Sequence, residues 1–500
     1  MTEPCDLPAV TARRLIGQRR LSPVELLDSC LARIAAVNPA VNAITAMDAE
    51  AARVAAREAE AAVMRGAALG PLHGLPLGIK DLEATRGLRT TWGSPLFADH
   101  VPAEDESMVA DLRAAGGIVL GKTNVPEFGL GANTRNAVYG ATGNAFDPLY
   151  NAAGSSGGSA VALACGMLPL ASGSDTGGSL RNPAAFNGIV GFRPSPGLVP
   201  HDRKLHGWSP LGVLGPMARD VPDLCLMLSA MAADHAADPL AYTLHARKVR
   251  SKPALFFPPR RLDLATLRLG FTEDFGQAPV EAVVRRKFRA VVAACEQLFA
   301  RVVPATPDLS GGDEAFEVLR SVGVLAAHLD RVRAHPDKCG PNMHANVAEG
   351  LRYSALDVAR ASTRQTAIYR EFQRFFAAHD VLVTPAITTS PRPWRELAPA
   401  EIDGRPTRSY FHWLALAYYV TLAGHPAVSL PVGLDERGFP FGLQIVGPRG
   451  GDAFLLGVAA ALEEAFAGDA ALGRPRPDLA KLRAAPAMAS REGYLGWDHQ

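Results

Sequence analysis

Apolar and polar residues alternate along the first 70 residues with the spacing of helices. Four apolar residues within 27–37 recur every three or four positions, directly after a capping box at 22–25. Because proline disfavours helix in the residue before it, Asn38-Pro39 predicts the end of this helix and an extended segment from Val41. An alanine-rich pattern at 49–65 predicts another helix, so this part of the chain is expected to be mostly helical.

Beyond residue 70, short apolar runs bounded by glycine and proline predict buried strands. They lie at 75–79, 117–121, 168–172, 267–271, 381–384, 427–430 and 442–446. Helical periodicity stands between them at 104–115, 160–164, 279–300, 313–378 and 452–466. Strands that alternate with helices predict an α/β fold built around a central sheet.

Three segments lack a regular pattern. The stretch 129–158 is rich in Gly, Asn and Thr, and so long a loop in a compact protein is usually functional. A proline-spotted segment at 234–266 predicts a surface connection, and the last 30 residues are expected to be irregular and peripheral.

Composition narrows the classes of function. Lys plus Arg is 51 and Asp plus Glu is 50, so the net charge of +1 gives no reason to expect a nucleic-acid partner. Six scattered cysteines without a C-x-x-C pair make no disulfide framework or metal site. Because residues 1–10 lack a signal-peptide pattern and no apolar run reaches membrane length, we expect a cytoplasmic protein with no membrane partner.

Two Gly/Ser loops carry the candidate chemistry. They lie at Gly154–Ser159 and Gly173–Arg181, and a turn between Gly173 and Ser179 is expected to follow the strand at 168–172. Successive N–H groups in glycine-rich turns form a concave anion site, and serines beside it place a nucleophile near oxyanion donors. A plain linker and a phosphate-binding loop are the alternatives, but the loops are bounded by buried strands and the GxxxxGK[ST] pattern is missing.

Lys80 is a candidate general base. It is one of only eight lysines and ends the apolar run at 75–79. Burial can lower the pKa of a lysine by up to about 3–5 units from about 10.4, which would leave a neutral amine near pH 7. The alternative is a surface lysine paired with Asp81.

These segments resemble the amidase signature enzymes. The resemblance covers roughly 7–235 and 380–465, and it rests on the motifs at 74–81, 121–124, 154–159, 175–184, 424–427 and 442–444. It implies a central twisted mixed sheet of about eleven strands with helices on both faces. It also implies a single domain over 1–500, made of N-terminal helices (1–70), a signature core (71–235), a variable helical region (236–380), the rest of the core (381–470) and a peripheral tail (471–500).

The resemblance also implies the roles of the site residues. Ser179 matches the nucleophile, Ser155 the bridging serine that follows a cis peptide bond, and Lys80 the base. The N–H groups of Thr176, Gly177 and Gly178, with that of Ser179, match the oxyanion hole. The supporting residues are Ser156, Asp175 and Arg181. No metal and no cofactor are implied.

The expected reaction is hydrolysis of a linear carboxamide to a carboxylate and ammonia or an amine, through an acyl-enzyme on Ser179. The partner is then a small-molecule amide, and a homodimer is one assembly that the family allows. Phe128 and Leu130 are predicted to contact the substrate, with Glu127 at the border of the pocket. Aromatic side chains suggest an apolar or aryl acyl group, and the candidates for the walls are Trp208, Trp394, Phe411 and Trp413.

Three alternatives remain at this point. The chain could be similar to the A-type subunit of a tRNA-dependent amidotransferase, although Leu82 stands where those subunits usually carry asparagine. It could hydrolyse esters or carbamates by the same chemistry. The pattern from Gly154 to Gly158 also fits the G-x-S-x-G elbow, which would need one of His379, His412 or His425 as its partner.

Overall fold

The computed structural model describes residues 3–241 and 255–495. Its largest sheet has, within these residues, eleven strands in the order β1-β3-β2-β6-β8-β7-β14-β15-β11-β9-β10. The strands, with two short hairpins (β4–β5 and β12–β13), are β1 Ile44–Met47, β2 Pro76–Lys80, β3 Ile118–Thr123, β4 Arg135–Asn136, β5 Gly140–Ala141, β6 Leu170–Asp175, β7 Val190–Arg193, β8 Val213–Ala218, β9 Arg268–Phe271, β10 Arg301–Pro304, β11 Val381–Pro385, β12 Glu401–Ile402, β13 Arg405–Pro406, β14 Ala427–Leu434 and β15 Pro440–Val446.

Helices surround this sheet. They are α1 Ala9–Gly17, α2 Pro23–Val41, α3 Ala49–Met64, α4 Ser107–Ala114, α5 Gly157–Ala164, α6 Arg181–Asn187, α7 Val221–Met231, α8 Ala282–Cys295, α9 Gly312–Ala334, α10 Pro341–Gly350, α11 Ala355–Ala378, α12 Ala415–Ala423, α13 Asp452–Phe466 and α14 Leu479–Ala484. Among the described residues, no helix combines the length and the apolar character that a membrane span requires. The predicted α/β class and eleven-stranded sheet are confirmed.

The sheet is mixed, and its parallel part positions the site. β2 pairs in parallel with both β3 and β6, with Gly78 of β2 opposite Ala171 of β6. The carboxyl ends of parallel neighbours meet at one edge of a sheet. Lys80, the last residue of β2, and Asp175, the last residue of β6, are therefore brought to the same edge.

Helix α5 begins at this edge and is buried on all sides. Its second residue, Gly158, packs so closely that an added Cβ would lie 2.2 Å from the backbone nitrogen of Asn124. Only glycine allows this approach. The first Gly/Ser loop is thus pressed against the end of β3, next to β2.

The prediction that Asn38-Pro39 ends α2 is wrong, because Pro39 lies inside the helix, which continues to Val41. The helix ends instead at Asn42, whose φ of 51° is left-handed. The side chain of Asn38 accepts hydrogen bonds from the N–H groups of Ala43 and Ile44, and β1 begins only at Ile44. Proline in the last turn removes one backbone bond, and the Asn38 side chain takes over the exit from the helix.

The expected turn from Gly173 is also wrong, because β6 continues to Asp175. Ser174 and Asp175 pair with Leu214 and Val213 of β8, a strand that the sequence patterns did not indicate. β8 contains Gly215 and Pro216, which are uncommon in strands, so they interrupt the apolar pattern by which a strand is predicted. β7 and β10, of four residues each, were missed as well.

The C-terminal tail is not peripheral throughout. Residues 479–484 form α14, and the side chains of Leu482 and Met488 are buried. Met488 packs in a small cluster with Ala141 and Trp394, beside the β4–β5 hairpin. Part of the predicted surface connection, 242–254, lies outside the described residues, as do 496–500 of the tail.

Candidate active site

The amine of Lys80 is surrounded by three serine hydroxyls. Its Nζ donates hydrogen bonds of 2.8 Å each to the Oγ atoms of Ser155, Ser156 and Ser174. The first two belong to the loop before α5, and the third belongs to β6. Because Lys80 ends β2, this one side chain connects three elements of the site.

The environment of Lys80 makes it easier for the amine to lose its proton. The residue is fully buried, and burial lowers its pKa to about 8, while the negative charges of Glu83 and Asp175 act in the opposite direction. Asp81 does not pair with it, because its carboxylate accepts hydrogen bonds from the N–H and the hydroxyl of Thr91. The alternative of a surface lysine paired with Asp81 is therefore wrong.

Ser155 lies between this amine and a cavity. The peptide bond between Gly154 and Ser155 is cis, as the resemblance implied. The loop is fastened by Thr134, whose hydroxyl donates to the carbonyl of Ala153 (2.7 Å) and accepts from the N–H of Gly157 (3.1 Å). The hydroxyl of Ser155 thus has a defined position beside Lys80.

Ser179 lines the same cavity from the turn that follows β6. Its side chain is half-buried. Within 3–241 and 255–495, its hydroxyl makes no hydrogen bond, and the hydroxyls of Ser155 and Ser179 are not bonded to each other. The Ser179 hydroxyl is therefore available to a molecule in the cavity.

The turn 176–179 presents backbone N–H groups. No acceptor within the described part of the chain takes the N–H of Thr176, Gly177 or Ser179. The N–H of Gly178 differs, because it donates to Oδ1 of Asp175 at 2.9 Å. The structure therefore leaves three of the four expected oxyanion donors unoccupied and engages the fourth in shaping the turn.

Gly178 is required by this shape. Its φ is +114°, and a Cβ at this position would lie 2.5 Å from the Cβ of Ala417. Side chains of L residues rarely adopt such a backbone conformation. The glycine thus lets the turn pass close to α12 while its N–H reaches Asp175.

Asp175 is the centre of a buried charge network. Its carboxylate accepts from the guanidinium of Arg181 (2.8 and 3.0 Å) and from Arg193 (3.1 Å). Burial alone would raise its pKa, but the two arginines outweigh burial and hold the pKa well below its usual range. Arg181 also donates to the carbonyl of Ala417 and the hydroxyl of Thr421, so the turn is attached to α12.

The supporting role expected of three residues finds contacts in the structure. Arg181 and Asp175 join the turn 176–179 to α12, and Ser156 joins the first loop to β2 through its contact with Lys80. Ser174 was missed by sequence reasoning. Strand alternation could have found it, since Ser172 and Ser174 lie on one face of β6 and contact the backbone and the side chain of Lys80.

Glu83 was missed as well. It is buried, its Oε2 accepts from the hydroxyl of Ser172 at 3.1 Å, and that hydroxyl in turn accepts from the N–H of Lys80 at 2.9 Å. Burial raises the pKa of Glu83 to about 7, against the nearby charges of Lys80 and Lys122. The pKa of Glu83 therefore lies near that of Lys80, whose pKa the charge of Glu83 raises.

The cavity has a volume of about 610 Å³. Ser155 and Ser179 lie in its wall, as do the predicted contact residues Phe128 and Leu130. Its other aromatic walls are Trp92, Phe97, Phe316, Tyr410 and Phe411. A cavity of this size and lining suits a small molecule with an apolar part.

Several predicted borders of the pocket lie elsewhere. Glu127 is buried away from the cavity and accepts from Ser94 and from the N–H of Gly340. Trp208 is 70% exposed, whereas Trp394 and Trp413 are buried in packed interior. Of the four aromatic candidates, only Phe411 lines the cavity, because sequence position alone does not show which face of the fold a ring meets.

The alternative of a G-x-S-x-G elbow is not supported by the contacts. Its central serine, Ser156, bonds to Lys80, and none of His379, His412 and His425 lines the cavity. His425 is buried, with its Nδ1 2.8 Å from the carbonyl oxygen of Gly447 and its ring stacked on Phe372. The contacts of His425 are therefore structural.

Comparisons with known proteins agree with this fold. The model of the Amidase family matches residues 25–456. The acylamidase of Rhodococcus erythropolis is 33% identical over 463 residues, which cover 91% of this chain and 95% of that protein. A glutamyl-tRNA(Gln) amidotransferase subunit of Acidothermus cellulolyticus is 34% identical over 92% of this chain and 94% of that protein.

A solved structure extends the comparison to the fold. A bacterial aryl acylamidase of the amidase signature family superimposes on this chain with a TM-score of 0.84 and is 24% identical in sequence. The superposition covers 97% of this chain and 99% of that protein's chain. This likeness shows the fold, and the matches in sequence show the class, an enzyme that hydrolyses amide bonds. The chain belongs to the Amidase family.

Proposed function

We propose that this enzyme cleaves linear carboxamides through an acyl-enzyme on Ser179, with Ser155 and Lys80 moving the protons. The observation that carries the proposal is the buried amine of Lys80, 2.8 Å from the hydroxyl of Ser155, in the wall of a cavity that Ser179 also lines. A neutral lysine can act as a general base near neutral pH, and a serine needs such a base to become a nucleophile.

The steps follow from this arrangement. Neutral Lys80 accepts the proton of Ser155, Ser155 accepts that of Ser179, and Oγ of Ser179 attacks the amide carbonyl. Ser155 then gives a proton to the nitrogen and takes back the proton held by Lys80, the C–N bond breaks, and ammonia or an amine leaves. Water repeats the sequence on the acyl-enzyme and releases the carboxylate. Contacts between catalytic groups often tighten only when substrate is bound, which applies to the unbonded pair Ser155 and Ser179.

The developing oxyanion needs donors, and the N–H groups of Thr176, Gly177 and Ser179 are available for it. Loss of one such donor typically costs about 10²–10³ in rate. Gly178 contributes indirectly, because the hydrogen bond from its N–H to Asp175 stabilises the conformation of the turn. The proposed oxyanion hole therefore consists of the three N–H groups that the protein itself leaves without acceptors.

The aromatic cavity supports a small-molecule amide with an apolar or aryl group as the substrate. The same acyl-enzyme would form from esters and carbamates, so we propose these as side activities. The six cysteines of the chain, all described, are unpaired and buried, which supports a reducing compartment such as the cytoplasm.

A panel of aliphatic amides, aryl amides and anilides tests the proposal on the purified enzyme, with release of ammonia or amine as the measurement. We expect turnover by the wild type and a loss of at least about 10³-fold in Ser179→Ala. Ser409→Ala is a matched control, since this serine lies outside the cavity. Full activity in Ser179→Ala would refute the assignment of the nucleophile.

A second candidate is a component of an amidotransferase. The observation in its favour is that the sequence identity of this chain to the amidotransferase subunit, 34%, is about the same as its identity to the acylamidase, 33%. Glutaminase activity that appears only after addition of partner proteins would favour this candidate. Turnover of simple amides by the isolated chain, with glutamine a poor substrate, would exclude it.

A further inference from the structure

One face of helix α9 forms a long wall of the cavity. The residues on this face recur at helical spacing, and they include Phe316, Arg320, Gly323, Ala327 and Arg331. The wall starts beside the turn 176–179, which carries Ser179, because a Cβ on Gly177 would lie 3.4 Å from the ring of Phe316. Arg320 follows four residues later, which is about 6 Å further along the helix axis.

The guanidinium of Arg320 has few partners in the protein. It stacks on the ring of Phe411 at 4.4 Å, and its Nη2 donates to the hydroxyl of Tyr410. Its Nη1 is buried without any hydrogen-bond partner in the described part of the chain. An arginine carries five N–H donors in a fixed fork, so most of the donors of Arg320 remain unused.

No carboxylate compensates this charge. Within the described residues, Arg320 forms no ion pair, and Glu317, one turn before it on α9, is paired with Arg408 at 3.2 Å. Two carboxyl groups do line the cavity, Glu83 and Glu106, but burial raises their pKa values to about 7 and about 8. At neutral pH they therefore carry only part of a negative charge each, about half for Glu83 and less for Glu106.

Two other cations of the cavity, Arg331 and Lys204, have more hydrogen bonds within the protein than Arg320. Nη1 of Arg331 lies 2.7 Å from the carbonyl oxygen of Ala327 and 3.0 Å from Nδ1 of His328. The amine of Lys204 donates to the carbonyls of Ser209 and Gly212. Arg203 also lines the cavity, but its side chain is exposed and lies 3.4 Å from the carbonyl oxygen of Asp105. Arg320 combines unused donors, one of them buried, with a position one helical turn from Phe316, which lies beside the turn 176–179.

We propose that the preferred substrates are amides that carry a second, anionic group, such as a carboxylate, and that Arg320 binds this group. The inference rests on the proposed function and specifies its substrate class. The planar fork of arginine matches a carboxylate, and the aromatic rings of Tyr410 and Phe411 hold the fork in place. The apolar walls then contact the part of the substrate between its carboxylate and its amide.

Matched pairs of amides test this proposal. Glutaramate is compared with pentanamide, and 4-carbamoylbenzoate with 4-methylbenzamide, with ammonia release as the measurement. We expect kcat/KM of the wild type to be at least about tenfold higher for the anionic member of a pair, because a charge-assisted hydrogen bond is worth about that factor or more. Added salt should reduce this preference by raising KM of the anionic member.

Variants locate the effect. In Arg320→Met, the ratio of the two kcat/KM values should fall by about 10–100-fold, mainly through KM of the anionic amide, and Arg320→Lys should restore part of it. Arg333→Met is the matched control, since Arg333 lies on the same helix with its side chain exposed and outside the cavity. The control should leave the ratio unchanged.

The outcomes separate the two proposals. If neither series is hydrolysed, the proposed function fails. If kcat/KM is the same for the neutral and the anionic member of each pair, the amidase assignment stands and the anion site is refuted. If Arg331→Met, and not Arg320→Met, removes the preference, the anion site at Arg320 is refuted in the same way.

Discussion

At the scale of single residues, the three hydroxyls around Lys80 suit both protonation states of its amine. An ammonium group has three N–H donors and can donate to Ser155, Ser156 and Ser174 at once. A neutral amine has two donors and one lone pair, and a hydroxyl can turn to serve as donor or acceptor. Lys80 can therefore gain and lose a proton without leaving a buried polar group unpaired.

The pH dependence of the reaction follows from the pKa of Lys80, about 8. Because the neutral amine is the proposed base, kcat/KM should rise with pH through about 8 and fall about tenfold per pH unit below it. The measurement is a pH–rate profile of amide hydrolysis. A rate that stayed constant down to pH 5 would contradict the role of Lys80.

Glu83 should set the position of this profile. Its negative charge raises the pKa of Lys80, so Glu83→Gln should lower that pKa and move the acid limb to lower pH. Glu127→Gln is the control, because Glu127 is also buried but is not among the charges that shift the pKa of Lys80 or of Glu83. Equal shifts in both variants would show that Glu83 has no specific effect.

At the scale of elements, the site is assembled where secondary structures end. Lys80 ends β2, Asp175 ends β6, and Ser155 lies directly before α5. Parallel pairing of β2 with β6 brings these ends together, and close packing of Gly158 brings the loop before α5 beside them. Helix α9 then closes one side of the cavity.

Gly323 determines how wide the cavity is at the middle of α9. A Cβ at this position would meet nothing closer than Nδ1 of His206, 4.0 Å away. Gly323→Leu should therefore obstruct the passage between the helix and His206 and lower kcat/KM for anilides on the order of tenfold, with a smaller effect on short aliphatic amides. Kinetics on both substrate classes measure this selectivity.

The matched control is Gly323→Ala. Alanine is favoured over glycine inside a helix by about 0.5–1 kcal/mol, so this variant should raise the free energy of unfolding and retain anilide turnover. If Gly323→Ala and Gly323→Leu lost activity equally, a conformational need for glycine would explain the result, and the steric explanation would fail.

At the scale of the whole molecule, one contiguous apolar cluster extends from Cys5 to Leu482. The start of α1 is attached to α7, because the carboxylate of Asp223 accepts from the N–H groups of Ala9 (2.7 Å) and Val10 (2.8 Å). Such contacts between distant parts of the chain support our proposal that the protein is a single domain.

The buried tail predicts a global effect on stability. Met488 is fully buried against Trp394 and Ala141, so Met488→Ala should lower the free energy of unfolding by about 2–5 kcal/mol. Met64→Ala is the control, because Met64 is 61% exposed and its truncation should change stability by less than about 0.5 kcal/mol. Denaturant titration of both variants measures the difference, and equal values would show that the tail does not contribute to the core.

The amino-acid sequence by itself was enough to predict the α/β class, most strands of the sheet and the family. It also identified Lys80, Ser155 and Ser179 as candidates. These features are local or lie within a single motif, so residue type and spacing express them directly. The predictions failed where a short or Gly- and Pro-containing segment needed a distant partner, as β8 needs β6.

Only the tertiary structure decided which groups meet at the site. It placed Ser174 and Glu83 around Lys80, engaged the N–H of Gly178 with Asp175, and brought Arg320 from the variable region into the cavity wall. The physical reason is that the contacts of Ser174 with Lys80 and of Ser172 with Glu83 join residues 94 and 89 positions apart, for which neither periodicity nor composition carries a signal. Their positions depend on how the packed elements exclude water and satisfy one another's polar groups.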